Sequence, residues 1–237
     1  MKHLRLTLLG LVLLTTFITG YAQTADEIIA KHLVAIGGMD AWRKVNSVYT
    51  EGNLKVQGAD VSVSGTVLNG KGMRQNISVM GMTGFQIITP QAGWNFMPFQ
   101  GQAKPEPITA EDLKENADQL DTQGALVDYK QKGHNVEFIG KEDIEGTEAF
   151  KLRVTHKGGK VETLFIDPAS YYIIRSVSKQ KANGQEMEIA TNLSNYKKLP
   201  EGIVVPMSVS LPYGEMTITK VEINKPVDEK IFKPENK

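Results

Sequence analysis

Few side chains in this sequence could carry chemistry. Beyond residue 22 the histidines are His32, His134 and His156, and no two stand at metal-ligand spacing or as an H-x-x-x-H pair. Serines are plentiful, yet no G-x-S-x-G elbow occurs. Gly70-Lys71-Gly72 and Gly81-Met82-Thr83-Gly84 read as hairpin turns rather than phosphate cradles, because no helix start follows them. Glu142, Asp143 and Glu145 crowd beside a turn, where solvation accounts for them. The chain has no cysteine, which removes thiol nucleophiles, Cys-ligated zinc, iron–sulfur clusters, disulfides and thiol-borne lipid anchors. The sequence therefore predicts no catalytic constellation, no metal site and no cofactor. It predicts the three histidines at the surface or at satisfied edges, and a hydrolytic enzyme is set aside.

The elements around these residues must then position something other than a reaction. The 237 residues suffice for one ordinary domain, and 41% apolar with 23% charged residues is the balance of a globular protein. A formal net charge of +0 offers no footprint for nucleic acid. Lys2, His3 and Arg5 precede an apolar run from Leu6 to Ile18, and Gly20-Tyr21-Ala22 places small residues at the −3 and −1 positions of a cleavage site. We read residues 1–22 as a signal peptide cut near Ala22, followed by a single domain over 23–237 in the periplasm. Its loss would remove Lys2 and Arg5 and no acid.

Thr24-Ala25-Asp26-Glu27 has the form of a capping box, with Ile29, Leu33 and Ile36 at helical spacing and Gly37-Gly38 as a stop. A second short helix is predicted over Asp40 to Val45. After Asn46 the period changes to 2, with Val48, Leu54 and Val56 on one face and Tyr49, Glu51, Asn53, Lys55 and Gln57 on the other. A turn falls near Gly58 to Asp60. Val61, Val63 and Val67 continue the alternation, and runs at 73–80, 84–89 and 92–97 complete a five-strand meander. From Lys104 to Gly133 the pattern breaks: Pro105 and Pro107 end the extended run, and a polar helix from Thr109 through about Leu120 turns Leu113, Ala117 and Leu120 inward. Strands resume with the clean alternation of Phe150, Leu152 and Val154, then runs at 161–167, 171–180, 186–196, 203–210 and 214–223. Asn183-Gly184 is one of the turns between them. A phase slip between Ile218 and Val221 predicts a bulge. About a dozen strands and two or three helices give an α+β, mostly β class, a curved antiparallel sheet with helices on one side.

Met73, Met80, Met82, Phe85, Trp94, Phe96, Met97 and Phe99 fall within one short stretch. Such a density of Met and aromatic side chains suits an adaptable apolar surface. Core packing is the alternative for each residue singly, and periodicity leaves open which face a strand turns inward.

Three segments carry a family resemblance: Gly93-Trp94-Asn95-Phe96-Met97-Pro98, then Leu164-Phe165-Ile166-Asp167-Pro168 with Tyr171 and Arg175, then Val221-Glu222-Ile223-Asn224 with Val227 through Pro234. In this order, spread over residues 23–237, they resemble the LolA/LolB-like superfamily of periplasmic lipoprotein carriers, closest to the outer-membrane lipoprotein-sorting members. The resemblance implies a half-open β-barrel with an N-terminal helix, an apolar concave face and a helical lid, holding acyl chains without chemistry. It implies a basic latch for the lid on an early strand, where Lys71 and Arg74 lie. The lining residues expected are Val48, Leu54, Val56, Met82, Phe85, Trp94 and Phe96. Partners expected are lipoprotein or lipid acyl chains and envelope transport proteins, with no nucleic acid, around a monomer. Similar folds occur in regulators that sense mislocalised lipoproteins, so a periplasmic sensor or interaction module is the alternative.

Overall fold

The computed structural model describes residues 23–56, 58–182 and 185–234. The expected signal peptide, Gln57 and the Asn183-Gly184 turn lie outside them. Thr24 caps helix α1 (Ala25–Ala35) through the expected reciprocal box: its hydroxyl accepts from the Glu27 amide, and its own amide donates to the Glu27 carboxylate. Gly37 ends the helix at φ +110°, a conformation that favours glycine. The second helix, α2 (Met39–Arg43), starts a residue earlier than expected and stops two short of Val45.

Among the described residues thirteen strands make one sheet. The first meander is β1 (Ser47–Val56), β2 (Ala59–Leu68), β3 (Gly72–Val79), β4 (Met82–Ile88) and β5 (Gly93–Phe96). A two-residue strand, β6 (Glu106–Pro107), lies inside the stretch expected to be unpaired, because Glu106 and Pro107 pair with Asn95 and Trp94 at the sheet edge, where proline is tolerated. The second meander is β7 (Asn135–Ile144), β8 (Thr147–Thr155), β9 (Val161–Ile166), β10 (Ile173–Ala182), β11 (Gln185–Lys198), β12 (Val204–Leu211) and β13 (Gly214–Ile223). The order across the sheet is β6-β5-β4-β3-β2-β1-β13-β12-β11-β10-β9-β8-β7, antiparallel throughout. First and last strands are neighbours at its middle. The bulge expected near Ile218 is present: Glu51 faces Lys220 while Gly52 faces Ile218, skipping Thr219.

Between β6 and β7 the chain forms helix α3 (Ala110–Glu115), capped by Thr109, and a 3₁₀ turn Ala117–Leu120. The expected single helix breaks at Asn116, whose side-chain amide donates to the Asp112 carbonyl at 2.7 Å. Residues 110–125 act as a strap over one end of the sheet. Its Leu113 and Leu120 pack on Met73, Ile88, Val67 and Ile108.

The main core lies under α1. Ile28, Ile29, Leu33 and Ile36 meet Phe150, Leu152, Val154, Leu164 and Ile166. The α2 side packs Ala41 and Trp42 on Val48, Val221 and Ile223. After β13, Asn224 ties the chain end to this junction: its side chain accepts from the Asn46 amide at 2.7 Å and donates to the Lys44 carbonyl at 2.9 Å. Truncating the fully buried Leu152 to Ala should cost about 2–5 kcal/mol of unfolding free energy in urea titration. Gly37→Ala should cost about 1–3 kcal/mol, since a Cβ there would stand 2.4 Å from the Gly202 carbonyl oxygen on a positive-φ backbone.

Candidate binding face

Residues directly opposite one another on paired strands share a face, so the register sorts every side chain. Val48, Gly52, Leu54 and Val56 of β1 share a face with Val61, Val63 and Val67 of β2, Met73, Ile77 and Val79 of β3, and Met82, Gly84 and Ile88 of β4. Across β13 and β12 that face continues through Met216, Ile218, Val209 and Leu211. α2 and the strap cover its near end, on Val48, Val67, Met73 and Ile88. Its far end belongs to none of the clusters those helices build, yet Val61 and Val63 are only 8% exposed. On the reverse face of the same strands Asn53, Lys55, Ser62, Glu215 and Thr217 are exposed. Shielded side chains without a helix over them mark the inside of a curve, so this is the inner face. Its far rows hold no charged side chain across β1–β4. Met80 in the β3–β4 turn (86% exposed), Met82 beside it and Tyr213 in the β12–β13 turn (57%) put apolar groups on the rim of this end.

The seven residues expected to line a cavity are therefore divided. Val48, Leu54, Val56 and Met82 are on the inner face, with Val48 under α2. Phe85, Trp94 and Phe96 alternate with inner residues Gln86 and Asn95 and lie on the outer face. There, with Leu68 and Ile87, they meet Val227, Ile231 and Phe232 of the C-terminal segment, which includes the 3₁₀ turn Glu229–Phe232. Phe232 seats against Gly72, where a Cβ would stand 2.5 Å from its ring. Met and aromatic density in one sequence stretch thus serves two surfaces.

Lys71 and Arg74 hold this same C-terminal segment. Lys71 pairs with Glu229 at 2.5 Å. Arg74 donates to the Ile231 carbonyl at 3.1 Å and stands 4.7 Å above the Phe85 ring. Neither reaches the strap. The strap's near side is fixed by backbone: the Gly70 amide donates to Leu120 O at 2.8 Å, and the Thr122 hydroxyl to Val45 O at 2.9 Å. On the other side Lys160, in the β8–β9 turn, reaches Asp118 at 2.7 Å.

A half-open polar cavity of about 1160 Å³ lies between the strap and that turn. Lys132–Asp121 (2.6 Å) and Lys160–Asp118 pair charges on its walls, and His156 Nε2 lies 2.8 Å from the Glu162 carboxylate. The fold brings His134 and His156 together, ring centroids 4.8 Å apart, although 22 residues of sequence give no motif. The Lys157 amide donates to His134 Nδ1 at 3.1 Å, so that nitrogen carries no proton. Burial, the neighbouring His156 and Lys132 hold His134 below the ordinary histidine value, with Asp121 and Glu162 opposing. Burial likewise lowers His32, whose Nδ1–H donates to the Tyr171 carbonyl at 2.8 Å. His32 is thus a core group rather than a surface one. Among the described residues no group of three or more His, Asp or Glu could hold a metal ion.

These features define an open, curved antiparallel sheet with an apolar inner face that helices cover only in part, and a strap across one end. No protein-family model matches the chain, and no curated protein does. Solved structures share its architecture. A DUF1329 family protein from Desulfovibrio piger superposes with TM-score 0.55 at 13% identity, covering 87% of this chain and 97% of that one. A LolA superfamily protein from Nitrosomonas europaea gives TM-score 0.55 at 11% identity, covering 90% and 98%. A putative outer membrane lipoprotein-sorting protein domain from Vibrio parahaemolyticus gives 0.50 at 14%, covering 87% and 94%. The chain has a LolA-like fold, a half-open barrel.

Two outcomes follow from the cavity. A group whose pKa is lower in the folded than in the unfolded state stabilises fully above its unfolded value, near 6.5 for histidine, and loses that contribution as pH falls. The melting temperature should therefore drop between about pH 7.5 and pH 5. His134→Asn, which keeps an acceptor for the Lys157 amide, should remove part of the drop. Separately, Lys160→Met should speed hydrogen exchange over residues 110–121 while changing global stability by less than about 1 kcal/mol.

Proposed function

We propose that this protein is an exported carrier or binding protein that holds acyl chains of lipoproteins or other lipids against its inner face and performs no chemistry on them. One observation carries this reading: the far rows of the inner face are apolar, uncharged and outside every cluster that the helices build. Such a surface is unfavourable in water and favours an apolar occupant. Burying methylenes yields about 0.8 kcal/mol each, so about ten supply the roughly 8 kcal/mol of a micromolar complex before ordering costs. The basic and apolar start of residues 1–22 supports export to the periplasm. The LolA-like fold supports the carrier class, since one structural neighbour is a putative outer membrane lipoprotein-sorting protein domain.

Within this reading Leu54, Val56 and Met82 are the expected contacts from the sequence, joined by Val61, Val63, Ile77 and Val79. Phe85, Trp94 and Phe96 support the sheet from behind. The test is uptake of a fluorescent fatty-acyl probe by protein purified without detergent, with mass spectrometry of an organic extract. Val63→Asp should cut probe affinity at least about tenfold, the loss of about 1.4 kcal/mol or more. Trp94→Ala should lower the melting temperature and leave probe affinity within about twofold, a change under about 0.5 kcal/mol. An empty extract and no probe uptake, with a stoichiometric protein captured by cross-linking, would replace the carrier by a periplasmic interaction module.

A further inference from the structure

Across β1–β5 the inner face is interrupted by a polar stripe. Thr50 on β1 faces Gly65 on β2, Gly65 faces Gln75 on β3, Gln75 faces Gln86 on β4, and Gln86 faces Asn95 on β5. Five strands thus contribute to a single row perpendicular to their run. The row on its helix side is Val48, Val67, Met73 and Ile88, and the row on its open side is Gly52, Val63, Ile77 and Gly84. Both flanking rows are apolar or glycine.

Three features mark the stripe as unfinished. The Oδ1 of Asn95 is buried without a hydrogen-bond partner. The side chains of Thr50, Gln75 and Gln86 are partly exposed and make no hydrogen bond to another described residue. At Gly65 a Cβ would meet only Thr50 Oγ1 at 3.4 Å and Arg74 O at 3.9 Å, which leaves an open notch beside Gln75. An unpaired amide in a sheltered wall lowers stability unless something else satisfies it.

The stripe's chemistry selects its complement. Carboxamides offer both donors and an acceptor and carry no charge. No cation stands in the row, whose one charged member is the exposed Glu106 opposite Asn95, and the Arg74 side chain points to the outer face. A free carboxylate therefore finds no counter-charge here, whereas an uncharged carbonyl linkage with an N–H finds both halves of its hydrogen bonding. Adjacent cross-strand side chains lie about 4.5–5.5 Å apart at Cβ, so one short linkage spans two of them. We propose that Thr50, Gln75, Gln86 and Asn95 form a subsite for the amide linkage of an N-acylated ligand, whose chain then runs over Val63, Ile77, Val61 and Val79. This rests on the acyl-binding reading above and adds the position and polarity of the ligand's head end.

The test uses the neutral hydrocarbon fluorophore diphenylhexatriene as bound reporter, displaced by N-methyldodecanamide or by dodecanoate at about pH 8. The unaltered protein should bind the fluorophore and release it at about tenfold lower amide than carboxylate concentration, one strong hydrogen bond's difference. Asn95→Leu with Gln86→Met should bring that preference below about threefold while fluorophore affinity stays within about twofold. Thr50→Val alone should reduce the preference in the same direction. Retained fluorophore binding also reports that the variants fold. An unaltered protein without amide preference, or variants that keep it, would overturn the subsite and leave the acyl-binding reading intact. Failure of the unaltered protein to bind the fluorophore would overturn both.

Discussion

Pairing of the first strand with the last is the constraint on which the rest of the molecule depends. β1 sits between β2 and β13, so the first meander runs from the middle to one edge and the second from the opposite edge back to the middle. A sheet with this order can curve, but it has no closing ladder. Asn224 bonds to the backbone on both sides of the α2–β1 junction, and the Asn224 amide donates to Ser47 O at 2.8 Å. The skipped Thr219 adds local twist at the same seam. Curvature without closure leaves one concave face that the strands themselves shelter only in part.

That face is shared unequally. α1 occupies the β7–β9 side, where Phe150, Leu152 and Val154 complete a core. α2 and the strap fill the near end, while the far end meets water at turns carrying Met80 and Tyr213. The strap is held by backbone hydrogen bonds on one side and by the Lys160–Asp118 ion pair on the other. An ion pair of two partly exposed groups is worth far less than backbone pairing with apolar packing. The strap is therefore anchored at residues 69–70 and more weakly clasped at the β8–β9 turn. The outer face has a cover of its own, for Phe232 and Ile231 close over Phe85 and Ile87 under the grip of Arg74.

Much of the architecture was legible locally. The capping box, the Gly37 stop, the five-strand meander, the strap with Leu113 and Leu120 inward, and the bulge beside Ile218 each follow from a pattern only a few residues long. The small differences have local causes as well, such as the Asn116 side chain that cuts α3 short and the edge pairing that makes Glu106–Pro107 a strand. Misleading signals came from composition without direction. Phe85, Trp94 and Phe96 are apolar and adjacent to Met82 in sequence, but a period of 2 sends alternate side chains to opposite faces. Only cross-strand register shows that Val48 and Leu54 lie opposite Val67 and Val61 while Phe85 lies opposite Phe96.

By itself, the sequence determined the alternation, most of the turns, the helix caps and the lack of any thiol, because each is read from composition or from neighbours within a turn or two of chain. Tertiary structure alone decided which face became the inside. It also decided that Lys71 and Arg74 hold the C-terminal segment, that His134 meets His156, and that Gln75, Gln86 and Asn95 share one row. Each of these depends on the register between strands, and a one-residue slip would exchange every inner side chain for an outer one. That register is set by burial on the curved face and by the β1–β13 seam, which joins residues at opposite ends of the chain.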